Sequence, residues 1–501
     1  MAKETSPTQV NFEKQIWDAA CVLRGNMDAS EYKTVVLGLI FLKYISDRFE
    51  EKYQALLNEG AGFEEDVDEY TSEGIFFVPA NARWDIIAKS AHTQSIGIAI
   101  DNAMRSIEKE NSRLKDILPK NFARPELDKR RLGDVVDLFT NIQMIEKGRE
   151  KDILGNTYQY CLRKFAENEG KLAGEFFTPE CVVKTLVEVL QPFSGRVYDP
   201  CCGSGGMFVQ SAKFVETHSG SINDISVYGQ DSNPTTWKMA QMNLAIRGID
   251  ADLGLYNADT FFNDCHPSLL ADYIMANPPF NLSEWGADKL TDDVRWQYGL
   301  PPANNANFAW LQHMISHLSP TGRIGMVLAN GSLSSQSGGE GNIRKNIIEA
   351  DLVDCIVAMP AQLFYTTQIP VSLWFLSKNK PQKGKTLFID ARKMGTMVSR
   401  KLRELTDEDI QKIADTYNAF ASGALKEVTG FCGVATTEEI ARQDYILTPS
   451  RYVGMEAQED TCEPFEEKMA RLTSDLSELF AQSHRLEDEL KKRLEAIGYG
   501  I

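Results

Sequence analysis

Short apolar runs alternate with helical patterns over residues 170–400, and this alternation limits the folds that the chain can adopt. The runs are rich in β-branched residues and are too short to form helices. Strands that alternate with helices build a mainly parallel sheet with helices on both faces, and such sheets bind ligands at the carboxyl ends of their strands. The predicted strands are Arg196–Asp199, Ile225–Asp231, Leu255–Asp259, Tyr273–Ala276, Arg323–Ala329, Leu352–Met359 and Val371–Ser377.

Apolar residues recur at helical spacing in the chain before this alternation begins. Ile96, Ile100, Met104 and Ile107, for example, fall on one helical face. We find no catalytic pattern in this part of the sequence. The predicted parts of the chain are a helical interaction domain, an α/β domain and an extension, over residues 1–165, 166–400 and 401–460.

The tail, residues 461–501, repeats apolar residues mostly in alternating steps of four and three. The repeat consists of Phe465, Met469, Leu472, Leu476, Leu479, Ser483, Leu486, Leu490 and Ile497. This heptad pattern predicts a coiled-coil helix that meets a partner helix. An amphipathic helix that packs on its own protein is the alternative.

The formal net charge of the chain is −18. A protein that binds DNA unaided usually carries a basic face, because phosphate contacts supply much of the affinity. The charge therefore favours a chain that depends on a partner for most of any binding to nucleic acid. Charge that only keeps the protein soluble is the alternative.

Cysteine usage and hydropathy indicate the compartment. The chain has nine cysteines, an odd number without a Cys-x-x-Cys pair, so we expect neither a disulfide framework nor a metal site. The most apolar run, Val35–Ile45, contains Lys43 and is shorter than the roughly 20 residues that a membrane helix needs. We therefore expect a cytoplasmic protein without a membrane segment.

The segment Asp199-Pro-Cys-Cys-Gly-Ser-Gly-Gly206 follows the first predicted strand and precedes a helical run. Its glycines let the backbone approach a ligand closely and adopt positive φ, and the helix that follows offers unpaired N–H groups. No lysine follows the glycines, so the segment is not a P-loop. It is typical of a cofactor-binding turn, and a plain glycine turn is the alternative.

Acidic residues end the next two predicted strands. Asp231 can accept hydrogen bonds from both hydroxyls of a ribose. Asp259 can accept a hydrogen bond from the exocyclic amine of a bound adenine. Each can instead serve as a helix cap or a turn residue.

The tetrad Asn277-Pro-Pro-Phe280 follows the apolar strand Tyr273–Ala276 and carries the most chemical information. The prolines fix the loop and remove two backbone donors, so carbonyl groups stay free to accept. The Asn277 side-chain oxygen and the Pro278 carbonyl can accept two hydrogen bonds from one –NH₂ group. Phe280 offers a face on which a flipped base can stack.

A further segment, Gly174-Glu-Phe-Phe-Thr-Pro-Glu180, precedes a helix predicted over Cys181–Leu190. Thr178 suits the N-cap, Pro179 the first helical position and Glu180 the first turn. The two aromatic residues beside this helix start offer a wall for a small ligand.

These segments, in this order, resemble the γ-type amino-methyltransferases and, more closely, the modification subunits of type I restriction-modification systems. Two more stretches match this family, Gly322–Gly331 and Gln368–Trp374. The resemblance runs from the helical N-terminal region through the α/β core and more loosely to the tail. It departs from the family at Cys201-Cys202, where many relatives carry alanines.

The resemblance implies an α/β fold with a Rossmann-like, seven-stranded S-adenosylmethionine-dependent methyltransferase core whose last strand is reversed. A helical N-terminal DNA-clamp domain and a C-terminal coiled-coil helix flank this core. The implied reaction is methylation of adenine N6 in specific duplex DNA with S-adenosyl-L-methionine as cofactor. The implied partners are a specificity subunit that reads the sequence and binds the coiled coil, a second modification subunit and a restriction subunit.

Motif matching also implies roles for individual residues. The target base is assigned to Asn277, Pro278, Pro279 and Phe280. The cofactor is assigned to Glu175, Phe176, Phe177, Thr178, Pro179, Glu180, Asp199, Gly203, Ser204, Gly205, Gly206, Asp231 and Asp259. Within this set Asp199 is placed near the amino group of the methionine part, Asp231 on the ribose and Asp259 on the adenine.

Two other activities stay open on the sequence alone. Protein-glutamine and RNA methyltransferases share the Asn277–Phe280 tetrad, and a catalytically silent scaffold of a DNA complex is a further alternative. The large helical N-terminal region and the heptad tail favour the type I family.

Two long stretches are candidate DNA-facing loops. The first is residues 281–307, with Trp285, Arg295, Trp296 and Tyr298, and the second is residues 331–341, which Arg344 and Lys345 follow. An exposed flexible linker is the alternative for the second stretch.

Overall fold

The computed structural model describes residues 14, 16–18, 21–23, 29–60, 62–141, 153–169, 177–365, 368–454 and 465–496. The chain divides into two compact units, Met1–Gly454 and Met455–Ile501, which are described separately. None of the described helices is long and apolar enough to cross a bilayer.

The N-terminal part is helical, as predicted. The helices whose bounds the structure describes are α1 Ala29–Glu59, α2 Val67–Thr71, α3 Trp84–Lys89, α4 Ile96–Glu110, α5 Lys129–Thr140 and α6 Ile153–Glu169. The predicted apolar face of α4 is confirmed, because Ile96, Ile100, Met104 and Ile107 are all fully buried. The core that these helices share includes Phe177 and three residues of a later helix, so the helical region packs directly on the α/β core.

Strands and helices then alternate, as the sequence predicts. The strands are β1 Gly195–Asp199, β2 Ile225–Gly229, β3 Ala251–Asp252, β4 Ala271–Ala276, β5 Leu318–Ala329, β6 Val353–Ala358, β7 Val371–Ser377, β8 Lys385–Asp390, β9 Thr396–Met397, β10 Arg403–Glu404 and β11 Cys432–Thr436. The helices are α7 Glu180–Leu190, α8 Gly206–Thr217, α9 Pro234–Ile246, α10 Asn307–Ser316, α11 Glu340–Glu349, α12 Asp407–Ala421 and α13 Thr437–Arg442. Short 3₁₀ turns lie at Ala80–Ala82, Ser112–Leu114, Ile222–Asp224, Ala287–Lys289, Asn330–Leu333, Ser337–Gly339 and Pro449–Arg451.

The central sheet has the order β11-β8-β6-β7-β5-β4-β1-β2-β3. Strand β7 is antiparallel to both of its neighbours, which confirms the predicted reversal of the seventh strand. The sheet is larger than predicted, since β8 and β11 extend it to nine strands. Two apolar layers cover its faces, one beneath α7, α8, α9 and α12 and the other beneath α10 and α11.

The third predicted strand was wrong. Residues 255–259 form a loop, and β3 is the two-residue strand Ala251–Asp252. The side chains explain the error: Leu255 is 94% exposed and Tyr256 is 57% exposed, so the apolar run does not face the core.

The second compact unit contains one long described helix, α14, Phe465–Ala496. This agrees with the helix predicted for the tail, whereas Ile497 lies outside the described residues. The apolar side chains of the predicted repeat are exposed on α14: Met469, Leu472, Leu476, Leu479, Leu486 and Leu490.

Candidate functional site

The candidate site lies at one edge of the sheet because β1, β2 and β4 run parallel and end together. Asp199 is the last residue of β1, and Asn277 immediately follows β4. The register pairs Tyr198 with Ile274, so the carboxyl ends of β1 and β4 are neighbours. The sheet therefore brings together segments that are far apart in the sequence.

A pocket opens at this edge. The predicted site residues that line it are Phe177, Thr178, Asp199, Gly203, Ser204, Gly206 and Asn277. Four residues without an assigned role also line it: Gln159, Cys201, Cys202 and Met207. Glu175 and Phe176 lie outside the described residues. The other described residues of the predicted set do not line this pocket: Pro179, Glu180, Gly205, Asp231, Asp259, Pro278, Pro279 and Phe280.

Asn277 has one half of its amide engaged and the other half available. Its Nδ2 donates to Thr178 Oγ1 at 2.9 Å. Its Oδ1 is buried and has no hydrogen-bond partner among the described residues. Leaving a buried acceptor unpaired costs about 1–3 kcal/mol, so this oxygen is suited to accept from a ligand that enters the pocket.

The start of α7 differs from the prediction. The N-cap residue is Pro179, which makes no side-chain cap, and the helix begins at Glu180. Thr178 was predicted as the cap, but its hydroxyl accepts from Asn277 instead. The predicted position of Glu180 in the first turn is confirmed, and its carboxylate accepts from Gln210 and pairs with Lys184.

Asp199 lies at the base of the pocket and is only 2% exposed. Burial raises the pKa of this carboxyl to about 7, and the nearby carboxylate of Asp231 acts in the same direction. The backbone N–H of Cys201 donates to its Oδ1 at 3.0 Å, which opposes the rise. Asp199 therefore titrates near neutral pH, in a place where a ligand's positive charge would favour the ionised form.

The two cysteines of the glycine loop, which is the segment Asp199–Gly206, are unreactive as nucleophiles. Burial, followed by the charge of the neighbouring carboxylates, raises the pKa of the Cys201 and Cys202 thiols well above the ordinary value. Thiols that stay protonated are poor nucleophiles. These residues serve as small wall residues, so the departure from the family pattern leaves the pocket intact.

Asp231 ties the glycine loop to the end of β2. Its Oδ2 accepts from the Gly203 N–H at 3.0 Å, and its Oδ1 accepts from the Asn233 N–H at 2.8 Å. Asn233 in turn caps α9 through its side-chain oxygen. Gly203 and Gly205 have φ of 54° and 79°, a conformation that glycine adopts without strain. Asp231 thus sets the shape of the loop that forms one wall of the pocket.

Asp259 sits in a different setting from the one that the sequence predicts. It lies on the loop after β3, is exposed, and its Oδ1 accepts from the Phe261 N–H at 2.9 Å. This is the turn role that was the alternative for this residue. A role in binding adenine stays a prediction.

The rest of the tetrad forms the rim beside Asn277. Pro278 is buried and Pro279 is half-buried. The ring of Phe280 is half-buried and meets the ring of Phe364 edge-on, with centroids 5.6 Å apart. The Phe280 ring is therefore held in a defined orientation next to the pocket.

Gln159 is a pocket residue that the sequence analysis missed. It lies on α6, in the region predicted to be an interaction domain, yet it lines the pocket together with Asp199 and Asn277. Its Oε1 is buried without a hydrogen-bond partner among the described residues. A glutamine in an amphipathic helix carries no recognisable motif, so only the packing of α6 on the α/β core identifies it.

The first candidate DNA-facing loop is folded on itself. Trp285 is 5% exposed and its indole donates to the Pro302 carbonyl, while the Trp296 indole donates to the Leu290 carbonyl. The Arg295 guanidinium pairs with Asp293. The side chains of Trp285, Arg295 and Trp296 are thus engaged inside the protein, and contact of this loop with DNA or with a flipped base stays a prediction.

The second candidate loop is partly folded into helical turns. Residues 331–341 form two 3₁₀ turns and the start of α11. Arg344 is fully buried and donates to the carbonyls of Ser335 and Tyr445, both at 2.8 Å. Arg344 therefore joins parts of the core, and contact of residues 331–341 with DNA stays a prediction.

Two family models and several known proteins match this chain. The model for the N-6 DNA methylase family matches residues 149–461, and the model for the HsdM N-terminal domain matches residues 12–139. The chain is 50% identical to the methylase subunit of the type I restriction enzyme HindI from Haemophilus influenzae, over 84% of this chain and 100% of that protein.

The chain belongs to the N-6 DNA methylase family. It falls among the methylase subunits of type I restriction enzymes, as the sequence predicts. A second relative is the methylase subunit of the type I restriction enzyme MjaIX from Methanocaldococcus jannaschii. It is 41% identical over 97% of this chain and 92% of that protein.

A solved methyltransferase subunit of a type I restriction-modification system has the same fold. The type I methyltransferase subunit from Streptococcus thermophilus superposes with a TM-score of 0.76 and 26% identity, covering 89% of this chain and 99% of that one. The predicted α/β methyltransferase architecture is therefore confirmed. Membership in a DNA methylase family also decides for DNA over the protein-glutamine and RNA alternatives.

Proposed function

We propose that the pocket at the ends of β1 and β4 transfers a methyl group from S-adenosylmethionine to N6 of an adenine flipped out of duplex DNA. The observation that carries this proposal is the unpaired Oδ1 of Asn277, which is buried at the pocket wall. An exocyclic amine is a donor that fits this acceptor. The hydrogen bond to Thr178 holds the amide so that the oxygen stays on the pocket side.

The residues present fit the proposed cofactor. The unpaired Oε1 of Gln159 and the carboxyl of Asp199 offer two acceptors for an ammonium group. A Cβ at Gly206 would project into open space, so the glycine leaves a free volume beside the helix start. Bound there, S-adenosylmethionine supplies an electrophilic methyl group on a positively charged sulfur.

The protein's contribution is to bind and orient the amine. Asn277 Oδ1 and the Pro278 carbonyl hold the two hydrogens of the adenine amino group, which turns the nitrogen lone pair toward the donor. Phe280 stacks on the extruded base and offsets part of the few kcal/mol that base flipping costs. No strong base is required, because the nitrogen becomes acidic once methylated.

Replacing Asn277 by Ala tests this proposal. We expect loss of methyl transfer to DNA, measured with labelled cofactor, together with cofactor affinity within about threefold of the parent by calorimetry. Asn102→Ala, at an exposed position on α4, is the matched control and should behave like the parent. Parent-like methylation by Asn277→Ala would refute the assignment.

We further propose that the exposed apolar face of α14 binds the long helices of a specificity subunit. The side chains of Leu476 and Leu486 are 51% and 66% exposed, and a heptad seam of this kind needs a partner helix. In the resulting complex the specificity subunit reads the DNA sequence. A second copy of this chain and a restriction subunit would complete the complex.

Co-purification tests this partner. Leu476→Asp with Leu486→Asp should abolish recovery of a tagged specificity subunit, because the charges would be buried in the seam. Ala481→Asp, on the opposite side of the same heptads, should leave recovery unchanged. Equal recovery with both variants would contradict the proposed interface.

A further inference from the structure

One segment of this acidic protein is strongly basic. Residues 391–403 carry five cations and no acidic side chain, although the whole chain has a net charge of −18. The cations are Arg392, Lys393, Arg400, Lys401 and Arg403. We call this segment the basic hairpin.

The basic hairpin has a defined shape. Strands β9 and β10 pair antiparallel, and the Val398 N–H donates to the Leu402 carbonyl at 3.0 Å across the turn. The Ser399 hydroxyl accepts from the N–H groups of Lys401 and Leu402. The Arg403 guanidinium donates to two carbonyls on the other arm. These hydrogen bonds restrain the hairpin, and a restrained segment loses less entropy on binding.

The cations at the tip are available to a partner. Arg400 and Lys401 are both exposed, and neither has an ion-pair partner among the described residues. Arg392, by contrast, is paired with Asp390. The hairpin thus offers two adjacent positive charges to solvent.

The basic hairpin lies on the side of the sheet where the pocket opens. It follows the carboxyl end of β8, which runs parallel to β6. Strand β6 runs in the same direction as β5 and β4, because β7 is antiparallel to both β6 and β5 and β5 is parallel to β4. The Arg403 N–H donates to the Gln362 carbonyl at 2.8 Å. A few residues further along, the ring of Tyr365 lies 6.0 Å from that of Phe177 in the pocket wall. The hairpin and the pocket are therefore connected through one loop.

We propose that the basic hairpin binds the phosphate backbone of the DNA duplex that delivers the target adenine, with Arg400 and Lys401 as phosphate ligands. This inference rests on the proposed function. Charge complementarity favours DNA as the occupant, because a cationic pair at the same edge of the sheet as the proposed base-binding pocket can meet the phosphates of a duplex that reaches this pocket. Binding of this kind is independent of sequence and sensitive to salt.

The test measures binding of a short fluorescein-labelled duplex by anisotropy at several salt concentrations. The full-length chain, co-purified with its specificity subunit, carries Arg400→Ala with Lys401→Ala. Two lost phosphate contacts should make the slope of log Kobs against log[salt] shallower by about 1.8. Cofactor affinity should stay at the parent value.

Two matched variants serve as controls. Lys383→Ala with Lys385→Ala removes two exposed cations from the opposite end of β8 and should leave the slope unchanged. Arg400→Lys with Lys401→Arg keeps the charges and should also match the parent, whereas a purely structural role of these residues would make it fail.

A parent-like slope and affinity in the double alanine variant would overturn the inference. Loss of the specificity subunit at an unchanged salt slope would also overturn it, since the hairpin would then bind protein. Failure of the proposed function looks different, because the parent complex itself would then bind duplex without methylating it.

Discussion

The side-chain amide of Asn277 donates a 2.9 Å hydrogen bond to the hydroxyl of Thr178, a residue 99 positions earlier in the chain. This bond decides which end of the amide faces the pocket, because Nδ2 is engaged and Oδ1 is left as the acceptor. The loop before α7 therefore orients the residue to which we assign the target base.

Thr178→Val should lower kcat by about tenfold to a hundredfold, with cofactor affinity nearly unchanged. Valine keeps the shape of threonine but offers no acceptor, so the Asn277 amide is free to rotate. Single-turnover methylation with saturating cofactor measures the effect. Thr178→Ser restores the acceptor and should recover most of the rate. A Val variant as fast as the parent would show that the bond does not orient the amide.

Gln159→Ala should weaken S-adenosylmethionine binding by about tenfold, because it removes one hydrogen bond to a charged group. Methylthioadenosine lacks the amino-acid part of the cofactor, and its affinity should not change. Calorimetry with both ligands makes the comparison. Lys164→Ala, on the same helix and paired with Glu167, is the control. An equal loss for both ligands would move the contact away from the amino-acid part.

Cofactor affinity should fall as the pH drops below about 7. Asp199 has a pKa raised to about 7, so it becomes neutral below that pH and no longer attracts the ammonium group. The limiting change is about tenfold per pH unit. Asp199→Asn should bind more weakly and lose this dependence. Dissociation constants measured between pH 6 and 8 would contradict the assignment if both proteins showed the same profile.

Acidification should also destabilise the protein through His313. Its Nδ1 accepts from Arg295 at 3.0 Å, which requires a neutral ring, and burial followed by the neighbouring His317 holds its pKa well below the ordinary value. Below about pH 6.5 the unfolded chain takes up a proton that the folded protein excludes, so stability falls by roughly 1.4 kcal/mol per pH unit. The neighbouring His317 has an acceptor beside each ring nitrogen, the Leu269 carbonyl beside Nδ1 and the Asp264 carboxylate beside Nε2.

His313→Gln keeps the polar contacts but does not titrate. The melting temperature of this variant should therefore depend less steeply on pH between 5 and 6.5 than that of the parent. Parallel curves for the two proteins would mean that the imidazole carries a proton in the folded state.

The sequence could predict the parts of the site that lie at strand ends. Asp199 and Asn277 each follow an apolar run that does form a buried parallel strand, so their shared position at one edge follows from topology. Asp259 was wrongly predicted at a strand end, because the apolar run before it does not form a strand. The apolar run before it is exposed, and hydropathy alone does not distinguish a strand from a loop with exposed apolar residues.

Other features depend on contacts between distant segments, which local patterns do not encode. Gln159 enters the site only because α6 packs on the α/β core. Thr178 fits an N-cap by residue type, but a partner 99 positions away competes for its hydroxyl. Arg344 looks like a surface cation in the sequence and is buried because carbonyl groups of two segments surround it.

The strand order also constrains how the chain is made. Strand β6 pairs with β7 and β8, and both follow it in the sequence. A nascent chain that stops between Ala358 and Val371 carries a strand that is buried along its whole length in the folded protein, with both of its backbone edges open, which is an arrangement that promotes aggregation. Truncated translation products from this interval should require chaperones, whereas a chain extended through Asp390 supplies both missing neighbours.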